Sequence, residues 1–244
     1  MNAATVFAAA LATALATGLG AAPFFAARSV SRRWLGISNA AAAGFMLAAS
    51  AVLAWEGVGG GAIRVLLGAA LGAAFIAAVQ RLLAERELHV GALAGADALK
   101  AITIVAVMTA HSLTEGVGVG VSFGDGADLG VFVTAAIAIH NVPEGLAICL
   151  VLVPRGTRPL AAGWWSVFSS LPQPLLAVPA FAFVETFRPV LPVGLGFAAG
   201  AMAWLTLSQL VPDARANATP RGVAAAFAVS FVAMMVLQGL LLRV

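Results

Sequence analysis

The most constraining feature of this chain is a succession of long apolar runs that carry few or no charged residues. The first of them, residues 3–22, contains no Asp, Glu, Lys or Arg. About 20 apolar residues, rising about 1.5 Å each, cross the ~30 Å hydrocarbon layer of a bilayer as a helix. Eight such runs occupy residues 3–22, 34–55, 63–83, 100–120, 130–153, 161–184, 190–211 and 222–242. They predict an all-α polytopic membrane protein with eight transmembrane helices.

The composition agrees with a chain that lies mostly in lipid. Apolar residues make up 62% of it and charged residues only 9%, whereas a soluble domain has about 25% charged residues. Eight helices leave only short loops, so we expect residues 1–244 to form a single transmembrane domain in contact with the lipid bilayer. Loop arginines account for the net charge of +3, and we expect no nucleic-acid partner.

The distribution of basic residues predicts the orientation, because short cytoplasmic loops are enriched in Lys and Arg. If the N-terminus lies outside, only Arg64, Arg188 and Arg243 of the 13 basic residues fall on the outer side. We therefore expect both termini to lie outside the cytoplasm. The longest inner loop, residues 84–99, contains His89 and several acidic residues. We interpret this loop as a solvated connector in preference to a metal-collecting segment.

Two spans contain ionisable residues that a membrane should exclude. The fourth span reads 111-HSLTEG-116 and the fifth reads 140-HNVPEG-145. In each motif His and Glu are four residues apart, so both side chains lie on one helical face. An ionisable side chain at the bilayer centre costs about 2.5–3.5 kcal/mol on insertion scales, which makes such a residue a candidate for function.

The two motifs lie at matched depth. His111 follows Lys100 by eleven residues and His140 follows Asp128 by twelve, so both lie about 16–18 Å from a membrane face at about 1.5 Å per residue. We expect the two imidazoles and two carboxylates to meet near the midplane. A pair of His–Glu hydrogen bonds with a purely structural role is the alternative, but a repeated motif at matched depth favours a metal site.

The donor set indicates which ions would bind. Imidazole nitrogens together with carboxylate oxygens suit Zn²⁺, Fe²⁺, Mn²⁺, Co²⁺ or Cd²⁺, whereas Mg²⁺ and Ca²⁺ prefer all-oxygen shells. Further candidate ligands are the two polar residues that follow the histidines, Ser112 and Asn141, together with Gln173 in the sixth span.

Three classes of function fit a metal site at the midplane. A transporter needs access to the site from both faces, whereas a non-transporting metal sensor needs only binding. An intramembrane metalloenzyme would also need an open coordination position and a substrate cleft, and the sequence contains no H-E-x-x-H motif. We favour a transporter with no catalytic residue and no cofactor, for which the divalent ion is the transported substrate.

At these residues the sequence resembles the ZIP family of divalent-metal transporters, in particular its bacterial branch. The segment 140-HNVPEGLA-147 is similar to the family's fifth span, and 42-AAGFMLAAS-50, 198-AAGAM-202 and 233-AMMVLQ-238 are similar to the second, seventh and eighth. The resemblance implies eight helices with both termini outside, and a site for one or two metal ions between spans four and five. It also implies a homodimer in the cell (inner) membrane that takes up zinc or a related ion by alternating access.

Carried over to this chain, the resemblance places the principal metal ligands at His111, Glu115, His140 and Glu144, with Asn141 at a secondary position. Two departures concern that secondary position, since Ser112 replaces the usual Asn and Gln173 replaces a Glu that bridges two metals. Neutral amides also stand at three further positions that are commonly acidic, Gln80, Gln209 and Gln238. An amide offers an acceptor oxygen but no charge, so we expect one main metal site, with weaker ancillary sites at its entrance and exit.

Overall fold

The computed structural model describes residues 2–26, 31–84, 89–90 and 93–241, and helices account for nearly all of them. The only strands in these ranges are β1 (His89–Val90) and β2 (Leu93–Ala94), which form a short antiparallel pair. The helices are α1 (Ala3–Thr17), α2 (Ala22–Ala26), α3 (Arg32–Val58), α4 (Ala62–Ala84), α5 (Gly95–Asp125), α6 (Ala127–Leu152), α7 (Pro159–Ser170), α8 (Pro172–Ala182), α9 (Val184–Phe187), α10 (Leu191–Leu205), α11 (Val211–Asn217) and α12 (Pro220–Leu241).

Seven helical segments in the described part of the chain are long and apolar enough to cross a membrane. They are Ala3–Ala26, Arg32–Val58, Ala62–Leu82, Asp97–Gly124, Ala127–Arg155, Leu191–Asn217 and Pro220–Leu240. The prediction of an all-α polytopic membrane protein is therefore confirmed. Residues 85–88 and 91–92 of the inner loop 84–99, and Arg243, lie outside the described residues, so the interpretation of that loop stays a prediction.

The predicted sixth span, residues 161–184, is built from two shorter helices. α7 ends at Ser170 and α8 begins at Pro172, so the helix is interrupted at Leu171. Proline has no N–H to donate and is accommodated in the first turn of a new helix. Neither helix is long enough to cross alone, but residues 159–182 together reach about 36 Å at about 1.5 Å per residue. This two-piece segment corresponds to the predicted sixth span, and its crossing of the membrane stays a prediction.

Two other spans differ in detail from their predicted bounds. α5 has 31 residues and reaches about 46 Å at about 1.5 Å per residue, because the helix continues beyond the apolar run 100–120 at both ends. The seventh span is continuous from α10 to α11 through a π turn at Thr206–Leu210. Pro212 follows that turn and cannot donate to the carbonyl of Ser208 as an α-helix requires.

The helices pack as two groups. The first bundle contains α1, α5, α6, α7 and α8, and the second bundle contains α3, α4, α10, α11 and α12. Within each bundle, glycines allow backbones to touch, as is common between helices in lipid. A Cβ at Gly200 of α10 would lie 2.0 Å from the Ala69 carbonyl oxygen of α4, and a Cβ at Gly145 of α6 would lie 1.7 Å from that of Thr17 in α1. The two bundles meet mainly where α5 contacts α10 and α3 contacts α6.

Candidate metal site

The candidate site lies between α5 and α6, and the connection of these helices explains its geometry. Gly126 alone joins them, with a φ of 155° that glycine adopts at low cost. His111 lies fifteen residues before Gly126, and His140 lies fourteen residues after it. Because the helices run in opposite directions and rise equally per residue, the two histidines reach the same level.

The structure brings the four residues of the repeated motif together. His111, Glu115, His140 and Glu144 are all buried, with exposed fractions of 0%, 3%, 4% and 1%. Each offers a ligand atom, and these four atoms lie within 4.8 Å of one another. The proximity predicted from spacing and depth is thus found in the fold.

One carboxylate oxygen of Glu144 lies at the centre of this cluster. Its Oε1 is 2.9 Å from Nε2 of His111 and 3.1 Å from Nε2 of His140. Oε1 of Glu115 is 3.3 Å from the same His111 nitrogen. The imidazole rings are nearly parallel, with centroids 5.7 Å apart and an interplanar angle of 23°. Two nitrogen and two oxygen donors thus converge on one region of the membrane interior.

The charges and unsatisfied atoms of the cluster fit a divalent cation. Two carboxylates would balance a charge of +2, and the donors match those of four-coordinate zinc. Buried polar atoms normally have a hydrogen-bond partner. Among the described residues, none is placed to hydrogen-bond Oε2 of Glu144, Oδ1 of Asn141 or Oγ of Ser112. The cluster therefore contains acceptor atoms that an ion could satisfy.

Gln173 lies beside the cluster and contacts it through Glu115. Its Nε2 donates to Oε2 of Glu115, and its Oε1 accepts from Nδ2 of Asn141 at 3.1 Å. The hydroxyl of Thr13 lies 2.6 Å from the same Oε1, and the Thr13 carbonyl accepts from Asn141 at 2.8 Å. Two of the three secondary candidates, Asn141 and Gln173, thus belong to one hydrogen-bonded network with α1.

Thr13 is the site-adjacent residue that sequence reasoning missed. It lies in a charge-free span, where a threonine hydroxyl usually bonds to its own helix backbone, and Thr13 does lie 2.7 Å from the Ala10 carbonyl. The only available signal was that Thr13 and Thr17 are four residues apart on one face of an Ala-rich helix. Their partners, Gln173 and Ser170, lie more than 150 residues away.

The three glutamines assigned to ancillary positions lie elsewhere in the fold. Gln80 donates to Ser208 at 3.2 Å and accepts from Trp204 at 3.0 Å, within the second bundle. Gln209 and Gln238 are buried, and each has an Oε1 without a hydrogen-bond partner in the described structure. Their role as entrance and exit sites stays a prediction.

These features define a class of protein: a polytopic helical membrane protein with a buried His/Glu cluster between two of its spans. The chain belongs to the ZIP family, since the sequence profile described as "ZIP Zinc transporter" matches residues 80–242. The resemblance carried by 140-HNVPEGLA-147 is thereby confirmed.

Individual relatives show how far the similarity extends. A protein of Arabidopsis thaliana, named as a candidate zinc transporter, is 46% identical over 234 residues, which cover 94% of this chain but 38% of that protein. Zinc transporter GufA of Myxococcus xanthus is 29% identical over 238 residues, covering 91% of this chain and 93% of the relative. Zinc transporter ZIPB of Bordetella bronchiseptica is 34% identical over 129 residues, or 52% of this chain and 42% of its own length.

Proposed function

We propose that this protein carries divalent transition-metal ions across a membrane, with zinc the foremost substrate. The observation that supports this most directly is the group of four buried donor atoms within 4.8 Å of one another inside a member of the ZIP family. Two carboxylates in a low-dielectric interior are compensated best by a dication. Zinc comes first because the names of the relatives specify it.

The ion binds at His111, Glu115, His140 and Glu144 and is the transported substrate, not a resident cofactor. Its four donors supply both the coordination number and the charge that Zn²⁺ requires. Ser112 and Asn141 stand next to the histidines and offer oxygen atoms to an ion on its way into or out of the site. No residue is assigned a catalytic role.

Transport proceeds by alternating access, with the first bundle moving against the second. All four site residues belong to the first bundle, so the site can move as a unit. Between helices of the two bundles, the only side-chain hydrogen bond among the described residues joins Lys100 of α5 to Asp213 of α11, at 2.8 Å. A boundary with so few directional bonds suits relative motion.

The protein resides in the cell (inner) membrane with both termini outside the cytoplasm, as a homodimer. The orientation follows from the enrichment of Lys and Arg on the inner side, and the dimer and the direction of uptake follow from the family resemblance. Reaction of membrane-impermeant reagents with cysteines introduced near either terminus of intact cells would test the orientation.

A flux assay in sealed liposomes tests the function against its alternatives. A transporter moves Zn²⁺ into the vesicle well beyond the binding capacity of the protein, whereas a sensor stops at that capacity. A metalloenzyme would instead consume a lipid or peptide substrate. The matched control is Glu185→Gln, because Glu185 is an exposed carboxylate in a surface ion pair with Arg188. Flux that never exceeds the bound amount would overturn the proposal.

A further inference from the structure

We propose that Gln173 is a positioning residue and not a metal ligand: together with Thr13 it orients Glu115 and restricts the central site to one ion. This inference rests on the proposed function, because it concerns the same site. The family resemblance includes Gln173 among the candidate ligands, but its contacts point to the other role.

The orientation of the Gln173 amide is determined by its neighbours. Nδ2 of Asn141 must face an acceptor, because it is also held by the Thr13 carbonyl at 2.8 Å. It therefore meets Oε1 of Gln173 at 3.1 Å, which leaves Nε2 to face the Glu115 carboxylate. The reverse orientation would place two acceptor oxygens against each other at Glu115 and two donor groups against each other at Asn141.

In this orientation Gln173 has no free ligand atom. A side-chain amide binds metals through its oxygen, and Oε1 of Gln173 already faces both Asn141 and the Thr13 hydroxyl. Its nitrogen donates to Glu115 and has no lone pair to offer. Gln173 itself is fully buried, so a bond to an ion would require the network to break without replacement by solvent.

The network fixes which oxygen of Glu115 an ion can use. Oε2 accepts from Gln173, whereas Oε1 stays 3.3 Å from Nε2 of His111 and faces the cluster. Glu115 is thereby presented to an ion mainly through Oε1, with Oε2 turned toward Gln173. The groups behind it, Gln173 and Asn141, are neutral, so a second dication would meet the repulsion of the first without a compensating charge.

Thr13 can act in this way because α1 packs tightly on the first bundle. The close approach of Thr17 to Gly145 fixes α1 against α6. One turn from Thr13, the Thr17 hydroxyl lies 2.8 Å from that of Ser170 in α7. This second pair ties the same helix to the same bundle, but among the described residues no hydrogen bond joins it to Glu115, so it supplies a matched control.

The test compares three variants of the protein, with Cd²⁺ affinity measured by calorimetry in lipid nanodiscs. Thr13→Val removes the hydroxyl at nearly constant volume and should weaken Cd²⁺ binding about 10- to 100-fold, as expected for loss of a group that orients a ligand. Thr13→Ser keeps the hydroxyl and should bind like the unaltered protein. Thr17→Val should also bind normally, although it loses a comparable buried hydrogen bond.

Two outcomes would overturn the inference. One is equal Cd²⁺ affinity in Thr13→Val and Thr17→Val, since a general packing defect would then explain both. The other is an anomalous Cd²⁺ peak within bonding distance of Oε1 of Gln173 in crystals of the unaltered protein. Neither result depends on transport. A protein that binds one Cd²⁺ in this way but shows no flux would refute the proposed function and leave the positioning role intact.

Discussion

The helices of the two bundles are held together by different kinds of contact. In the first bundle, buried side chains from distant parts of the chain bond to one another, as Thr13 does with Gln173 and Thr17 with Ser170. In the second bundle, buried hydroxyls bond mainly to their own helices, as Ser50 does with the Met46 carbonyl. All buried ionisable residues in the described chain belong to the first bundle.

The long-range hydrogen bonds of the first bundle fix the positions of particular side chains, whereas the close packing of the second bundle mainly stabilises the fold. α4 and α10 pack mainly through close backbone contact at glycines, with a hydrogen bond between them from Trp204 to Gln80. The first bundle has to hold charged groups in an apolar medium, and each unsatisfied polar atom there costs several kcal/mol. Its long-range hydrogen bonds therefore support the proposed metal site as well as the fold. Changes in the two bundles should then have different consequences.

The largest effect is expected at the centre of the cluster. Glu144→Ala removes the carboxylate that lies between both histidines, and leaving a buried dication undercompensated costs about 3–5 kcal/mol, or roughly 150- to 4,000-fold in affinity. We expect this variant to lose transport, whereas His140→Ala removes a neutral ligand and only weakens it. Zinc uptake into proteoliposomes measures both. Normal uptake by the Glu144→Ala protein would show that the cluster is not the transport site.

A change in the number of bound ions is expected next in size. Gln173→Glu replaces the donor to Glu115 by a second carboxylate, and two adjacent buried carboxylates repel unless a cation lies between them. Occupancy should rise from one ion per chain toward two, with slower release. Anomalous scattering from Cd²⁺-soaked crystals of both forms counts the ions. Two fully occupied central ions in the unaltered protein would contradict the charge argument.

Glycine substitutions compare the bundles directly. Gly200→Ala forces a Cβ to within 2.0 Å of a backbone oxygen in the second bundle, and such overpacking costs about 1–3 kcal/mol. The thermal midpoint should fall while the Zn²⁺ affinity of the folded protein stays unchanged. Gly145→Ala in the first bundle should lower both quantities, because it displaces α1 from α6.

The control for this comparison is Gly118→Ala, since nothing lies within 4 Å of a Cβ added there. It should leave the thermal midpoint and the affinity almost unchanged. Equal loss of affinity in Gly200→Ala and Gly145→Ala would show that the two bundles are not separate in function.

The smallest effect concerns the ion pair that joins the bundles. Lys100 and Asp213 are partly exposed, and such pairs contribute about 0.2–1 kcal/mol. Lys100→Met should increase the population of a second arrangement of the bundles by at most about fivefold. Spin-label distances between α5 and α11 would detect it. Arg155→Met is the matched control, because it breaks the Arg155–Asp97 pair inside the first bundle.

The parts of this structure that sequence predicts well depend on local geometry. The matched depth of His111 and His140 is predicted from helical rise and the flanking charges Lys100 and Asp128, and the structure adds the single-residue connection at Gly126. Pro172, Pro174 and Pro179 indicate in the sequence that the sixth span is irregular, and the break at Leu171 lies beside the first of them, although hydropathy alone does not distinguish one helix from two. The predicted span 100–120 is shorter than α5, because charged residues such as Asp97 mark the end of an apolar run and not the end of a helix.

Tertiary contacts account for the rest of what sequence could not show. Nothing near Thr13 in the chain indicates that it meets Gln173, which lies 160 residues later. The same holds for Asn141, whose amide is oriented by the backbone of α1. Spacing along one helix identified the four central residues, whereas the network behind Glu115 depends on how separate spans pack.

The π turn at Thr206–Leu210 marks a place where the seventh span can lose one residue and remain helical. A π turn amounts to one extra residue within an α-helix. Deleting a single residue there would close the seventh span into a regular helix and leave the residues that follow in nearly the same orientation, because the wider turn absorbs the extra residue. Asp213 would then still face Lys100. Aligning this chain with a relative whose seventh span lacks the turn therefore requires a one-residue gap at this place, even where both sequences look continuous.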